Sequence, residues 1–385
     1  MKKRYAEIAG AGISGLTAAI ALAQRGWKVR IHERSSKLRE IGAGLYTWEN
    51  GLKVLETIGA FNEACSELDM MERMDMVNEH QELIHSIPFS SENRFTVISR
   101  QGLYKALINR AQEEGVDIYT KSPVAGAKSH GELILDDGRQ ISADLIIGAD
   151  GVRSKIRNSL NLTKNVETMD DGAIRVLIPK RKDDPDKIST ENWSGYRRIG
   201  VTPCGPNYVY VFLTGLAKDE ALSVPINKEI WQEAFPHLES VIERVDEFGR
   251  LDYHFFNVFC KRWSSGSVAL LGDAAHGMSP NLGQGAGTGM MSALELAESL
   301  ESYNTIEAAL DAWEKIIRPT IDNTQYYARL YSLAATKWPK ELLTDRYPLI
   351  QAAMESRYLE EKISKAASYV ISSYRCGIRQ TTEKI

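Results

Sequence analysis

Hydrophobic and polar positions follow two different periods along this chain, and the switch between them divides it. Near the N-terminus the apolar run Tyr5-Ala-Glu-Ile-Ala9 leads through a glycine-punctuated turn to Leu16, Ala19, Ile20 and Ala23 on one helical face. Gly26 closes that helix before a second run, residues 28–33, so the segment reads strand, turn, helix, strand. A loop at 39–50 leads into a helix through about Ile58, and Ser99 is placed to cap a helix reaching about Glu114, with Leu103, Ala106 and Leu107 at helical spacing. Residues 67–95 are polar and Met-rich and read as short strands. Asp136-Asp-Gly138 marks a hairpin, and residues 143–148 a buried strand. From Asp171 to about Asp252 period two takes over, which predicts an antiparallel sheet and puts Tyr208, Tyr210 and Phe212 on one face. After a last apolar strand at 268–271, helices run through Glu314, break at Pro319, and continue with Leu359, Ile363, Ala367 and Val370 at amphipathic spacing; residues 378–385 are expected to fray.

Composition adds bounds. The 385 residues, 43% hydrophobic and 25% charged, suffice for two packed domains. With 47 basic against 51 acidic residues and a net charge of −4, the chain offers no field for polyphosphate, so nucleic acid is not an expected partner. Cys65, Cys204, Cys260 and Cys376 are far apart, which argues against a metal knuckle or redox dithiol and fits a reducing, cytoplasmic setting. The start of the chain has no signal-like apolar region, and no stretch approaches the roughly 18 apolar residues of a membrane span.

The candidate chemistry gathers at the glycine-bearing turns. Gly10-x-Gly12-x-x-Gly15 stands between strand and helix, with Glu33 about 20 residues beyond, where it suits ribose hydroxyls; the glycines allow a tight turn and close approach to a pyrophosphate. In residues 272–289, Asp273 follows a strand end, Pro280 lies in the loop, and the next helix starts on Gly285, Ala286 and Gly287. An anion-binding helix start without bulk, beside an acid suited to a ribityl hydroxyl, points to a flavin. Arg39, in a flexible loop, is either a cover for the cofactor or part of a connector. Arg100 opens a helix at the end where cations do not belong, which calls for an anionic neighbour unless it is a surface arginine. Asp150-Gly151, with Arg153, Ser154 and Arg157 ahead, is a strand-to-helix switch rich in donors for phosphates. Arg175, Arg198 and Tyr210, on the antiparallel strands, are candidates for a cavity wall, with edge contacts or core filling as the plain alternatives.

Three stretches, Gly10-Ala-Gly-Ile-Ser-Gly15, Gly148-Ala-Asp-Gly-Val-Arg-Ser-Lys-Ile-Arg157 and Gly272-Asp-Ala-Ala-His-Gly-Met-Ser-Pro280, resemble in order and spacing the fingerprints of single-component FAD-dependent aromatic hydroxylases, the group A monooxygenases. The resemblance covers about residues 5–330. It implies an α/β fold: a Rossmann-like FAD-binding domain (1–66, 96–170 and 265–330), an inserted antiparallel-sheet substrate domain (67–95 and 171–264) and C-terminal helices (331–385). It also implies that Gly10, Gly12 and Gly15 hold the FAD pyrophosphate, Glu33 the adenosine ribose, Arg39 and Arg100 the phosphate-ribityl region, Val124 the adenine through its backbone, and Asp273 the ribityl chain. The backbone of Gly285, Ala286 and Gly287 would face flavin N1 and O2, and Asp150 and Arg153 would serve both FAD and a transient NADH or NADPH. Tyr46, Arg175, Arg198 and Tyr210 would line the substrate pocket.

The activity so implied is NAD(P)H- and O₂-dependent oxygenation of a small electron-rich hydroxylated ring through a flavin C4a-hydroperoxide. A hydroxypyridine carboxylate is the first expectation, with or without ring opening. The alternatives are a bulkier substrate, such as a tetracycline-like polyketide or an indole, and a flavoprotein that does not oxygenate. A monomer or a homo-oligomer is expected.

Overall fold

The computed structural model describes residues 4–38, 43–245 and 255–371. Arg39 lies outside them. One six-stranded sheet runs in the order Ser264–Ser265, Val268–Leu270, Leu145–Gly148, Tyr5–Ala9, Lys28–His32, Asp117–Tyr119. All neighbours in it are parallel except the first pair. Its strands are largely buried: Ile8, Ile31, Leu145, Ile147 and Leu270 are inaccessible to solvent, and the polar exceptions Glu7, Arg30 and His32 pair with one another. The helix Ile13–Gln24 packs on this sheet, its residues 15–22 wholly buried, because the helix Gly285–Ser302 covers its other side.

A second six-stranded sheet has the order Asp171–Pro179, Tyr208–Leu216, Arg197–Cys204, Ile188–Ser194, Arg73–Val77, Leu83–Pro88. Period two separates its faces. Ile174, Val176, Ile199, Val209, Val211 and Leu213 pack against Trp231 and Phe235, while Tyr210 and Phe212 turn the other way, with Tyr46. Tyr208, on the same side, is at the exposed end of its strand.

Three local expectations are corrected. Gly44–Trp48, read as loop, is a strand paired with Phe95–Ser99; its partner lies too far along the chain for a local pattern to reveal. Pro319 does not break its helix, which runs unbroken over Ile306–Thr336 and so crosses the boundary expected at 330. An internal proline costs about 3 kcal/mol; buried Leu310, Trp313, Ile317, Ile321 and Ala328 on one face of this helix outweigh it. Near the C-terminus the helix Arg357–Ile363 stops before Ala367 and Val370. There the chain turns its carbonyls to helix starts instead: Ala367 accepts from the Asn50 amide at 3.2 Å, and Ile363 from the Gln284 side chain at 3.0 Å. Ser99 caps its helix as expected, accepting from Gly102 N at 3.0 Å.

The short helix Asp273–His276 carries a buried imidazole, tilted against Trp263 at 4.9 Å between ring centroids. Burial pushes the His276 pKa down to about 4. The unfolded chain therefore binds a proton that the folded one refuses between the unfolded value near 6.5 and pH 4, and stability falls as pH drops through that window. The full effect is about 3 kcal/mol. His276→Gln, neutral throughout, is expected to flatten the pH dependence of the urea midpoint between about pH 6.5 and 4; an unchanged slope would contradict this.

Candidate active site

A cavity of about 560 Å³ runs from the first glycine loop to the wall of the second sheet. At the loop end the three glycines differ in what replaces their missing side chains. A Cβ on Gly10 (φ +98°) would overlap the Ala149 carbonyl, and one on Gly15 would overlap the Gly10 carbonyl; both are packing positions. A Cβ on Gly12 would meet nothing within 4 Å, and Gly12 lines the cavity. Gly151 is likewise open and likewise in the lining. Open glycines at a helix start leave a cradle of the kind a pyrophosphate occupies. Glu33 buttresses the loop, its carboxylate accepting from Ala11 N at 3.0 Å and Ser35 N at 2.8 Å. Glu33 and Val124, which begins a strand pairing with Glu132–Leu135, are not among the cavity-lining residues.

Two further helix starts open on the cavity. Arg100 lies in the first turn of Arg100–Glu113, and Gly285 and Ala286 begin the helix over 285–302; all three residues line the cavity. Gly287 does not: a Cβ there would press on the Asn50 side chain at 2.9 Å, so it is a helix-packing position. Asp273 and Pro280 are in the lining. The Asp273 side chain is exposed to the cavity; the protein crowding around it raises its pKa, with Arg100 pulling the other way. The arginines of the Asp150-Gly151 stretch part company. Arg153 is exposed and lines the cavity, whereas Arg157 is buried and donates to the carbonyls of Ala274 (2.9 Å) and Val152 (2.6 Å), joining two of the glycine-bearing turns. Asp150, outside the lining, accepts from Lys155 N at 2.7 Å at the start of the short helix Lys155–Ser159, which Ser154 caps.

The opposite wall is aromatic. Tyr46, Tyr210, Phe212, Phe255 and Phe256 line it with Met278. Tyr46 meets Phe95, Tyr210 and Phe212 edge to face, at centroid distances of 5.0, 5.7 and 6.2 Å. Its hydroxyl lies 3.1 Å from Thr202 and 3.4 Å from Ser189, and burial pushes its phenol pKa up, so it stays neutral. Arg175 lies over the Phe255 ring at 5.5 Å. Tyr210 packs across Gly44, and Phe212 across Gly200, where a Cβ would overlap the Phe212 ring. Gly200→Ala is thus expected to push Phe212 into the cavity and raise substrate KM severalfold at unchanged FAD content, as steady-state kinetics would show. Unaltered kinetics would mean that the ring yields elsewhere.

Arg198 is almost wholly buried in the same wall, and its charge is already answered. It donates to Glu191 Oε1 at 3.1 Å and Asn281 Oδ1 at 2.6 Å, and its guanidinium lies over Trp193 and Tyr331 at 5.1 and 5.3 Å. Burial opposes its charge, but Glu191, Tyr331 and Asp171 together more than offset this and the pKa is raised. Tyr331 donates to the same Glu191 oxygen at 2.9 Å. Asn281 in turn donates to Asp171 (2.8 Å) and Ser279 (2.6 Å). Glu191 and Asn281 escaped sequence reasoning. Glu191 lies on Ile188–Ser194, a strand whose mixed composition carries no clear alternation, and the only local signal was the turn-rich Asp183-Asp-Pro-Asp186 before it.

The family described as FAD binding domain matches residues 5–322, and the chain belongs to it. It is a FAD-dependent aromatic monooxygenase of the single-component kind. A probable 2-heptyl-3-hydroxy-4(1H)-quinolone synthase of Rhodococcus erythropolis is 38% identical over 84% of this chain and 87% of its own length. The 2-heptyl-3-hydroxy-4(1H)-quinolone synthase of Mycobacteroides abscessus is 35% identical over 84% and 89%. The tetrameric form of 2-methyl-3-hydroxypyridine-5-carboxylic acid oxygenase superposes with a TM-score of 0.85 at 36% identity, covering 96% of this chain and 97% of that one. Among the described residues there is no group that could hold a metal, and no helix is long and apolar enough to cross a membrane.

Proposed function

We propose that this enzyme hydroxylates a flat, electron-rich nitrogen heteroaromatic ring bearing a ring hydroxyl or oxo group, at the expense of NADH or NADPH and O₂. FAD supplies the oxygen-transfer chemistry when bound. In this reading Gly12 meets its pyrophosphate in the turn that Gly10 and Gly15 shape, Glu33 takes its ribose, Val124 its adenine, and Arg100 and Asp273 the phosphate-ribityl region. Gly285, Ala286 and Gly287 offer the positive end of their helix to the flavin, where negative charge gathers on reduction. A transient nicotinamide cofactor would share this same nucleotide site, with Arg153 and the Asp150 stretch as its candidates, since the sequence carries one glycine-rich nucleotide motif. The aromatic wall, with Tyr46 and Tyr210, sandwiches the ring and excludes water. A homo-oligomer is in keeping with the tetrameric oxygenase that resembles it.

The observation that carries the choice of ring is the Glu191–Arg198 pair. With Arg198 neutralised, the aromatic wall suits a neutral ring such as a 4-quinolone ahead of an anionic one. A hydroxypyridine carboxylate is the second reading, favoured by Arg175 at the cavity wall, a cation suited to a carboxylate. The test is NAD(P)H oxidation by the FAD-loaded protein across 4-quinolones, hydroxypyridine carboxylates, indole and a tetracycline. Stimulation by a quinolone or hydroxypyridine supports the reading; stimulation by the tetracycline or indole alone, or by none, contradicts it.

A further inference from the structure

Glu191 lines the cavity and, among the described residues, gives only one of its carboxylate oxygens to protein donors. Oε1 takes both protein donors, Arg198 Nη1 at 3.1 Å and the Tyr331 hydroxyl at 2.9 Å. Among the described residues Oε2 accepts no hydrogen bond, while Glu191 lines the cavity with 11% of its side chain exposed. The carboxylate cannot easily turn away. Tyr331 reaches it from the helix Ile306–Thr336, and Arg198 is clamped by Asn281 and by the two rings beneath it. The strand register sets Glu191 opposite Gly200, the residue over which the Phe212 ring lies. A fixed acceptor and an aromatic face therefore share one patch of wall.

We infer that Glu191 reads the substrate: Oε2 accepts a hydrogen bond from the ring N–H or O–H of a neutral substrate, while Arg198 and Tyr331 act as positioning residues. The inference deepens the proposed function and rests on it. A largely buried acceptor gains most when a ligand donor completes it, and a ligand without that donor leaves it desolvated and unpaired. The bond is charge-assisted, so it also draws the ring N–H or O–H towards release of its proton and raises electron density in the ring, where an electrophilic oxygen attacks. A ring carboxylate in the same place would face a like charge.

The geometry makes a directional prediction for Glu191→Gln. The Gln oxygen is the acceptor that satisfies Arg198 and Tyr331, which leaves the amide NH₂ pointing at the cavity. A donor then meets the substrate's donor. Equilibrium titration of the FAD-loaded protein, followed by flavin absorbance, would use a 2-alkyl-4-quinolone, its N-methyl counterpart and a 3-hydroxypyridine-5-carboxylate. The parent is expected to bind the N–H quinolone roughly tenfold or more tighter than the N-methyl form, about 1.4 kcal/mol. Glu191→Gln is expected to lose that preference and to bind the carboxylate more tightly than the parent does. Tyr331→Phe, which keeps Oε2 but loosens its hold, should narrow the preference without reversing it. Equal weakening of all three ligands in Glu191→Gln, or an unchanged preference in both variants, overturns the inference and leaves the proposed function standing. A parent protein that binds neither quinolone nor hydroxypyridine overturns both.

Discussion

Gly12→Val is expected to give a folded protein that does not turn yellow. Gly12 has extended backbone angles, φ −74° and ψ 178°, that valine adopts without strain, and its missing side chain would meet no protein atom within 4 Å. The folded chain alone gives no reason for glycine there. The reason is a ligand that must come close to the backbone, and two methyl groups in that space should lower FAD affinity by roughly 100-fold, about 2.7 kcal/mol. The melting temperature of the FAD-free protein should stay near that of the FAD-free parent. Gly15→Val behaves differently, because its side chain would overlap the Gly10 carbonyl and must destabilise the fold itself. Measuring bound FAD and FAD-free stability side by side separates the two. A Gly12→Val protein with a full complement of FAD would contradict the placement of the pyrophosphate.

Arg198→Met is expected to lower stability by about 3–5 kcal/mol, since it strands the Glu191 carboxylate in an aromatic wall. The paired variant Arg198→Met with Glu191→Leu should recover part of that loss, because no buried charge is left unpaired, although the Tyr331 hydroxyl and Asn281 Oδ1 lose their partners. Urea unfolding of the single and double variants measures both. A single-variant cost below about 1 kcal/mol, the range of an exposed ion pair, would mean that water reaches Glu191 freely and that the pair does not set the charge of the wall.

The glycine-bearing turns at one end of the cavity were legible in the sequence for a physical reason. Gly10, Gly12, Gly15, Asp273, Pro280 and Gly285 lie in short strand-to-helix turns, where backbone geometry forces residue type within a few positions. The same locality explains the Ser99 cap and the hairpin at Gly138 (φ +85°). The wall was less legible. Its partners come from separate elements: Glu191 meets Arg198 across a hairpin, but Tyr331 reaches it from 140 residues away. Period two placed Tyr210 and Phe212 together, yet nothing local announced that Arg198 would be neutralised, or that the Tyr46 hydroxyl would turn to Ser189 and Thr202. Packing over distance also carried the helix through Pro319 and made Gly287 a contact for Asn50.

The most direct test of the whole account is turnover of the FAD-loaded protein with NAD(P)H and a quinolone or hydroxypyridine under heavy-isotope dioxygen. The account predicts labelled oxygen in the ring product, formed in step with the nicotinamide oxidised. Nicotinamide oxidation that yields only hydrogen peroxide with every ring in the panel, and no label in any organic product, would contradict it.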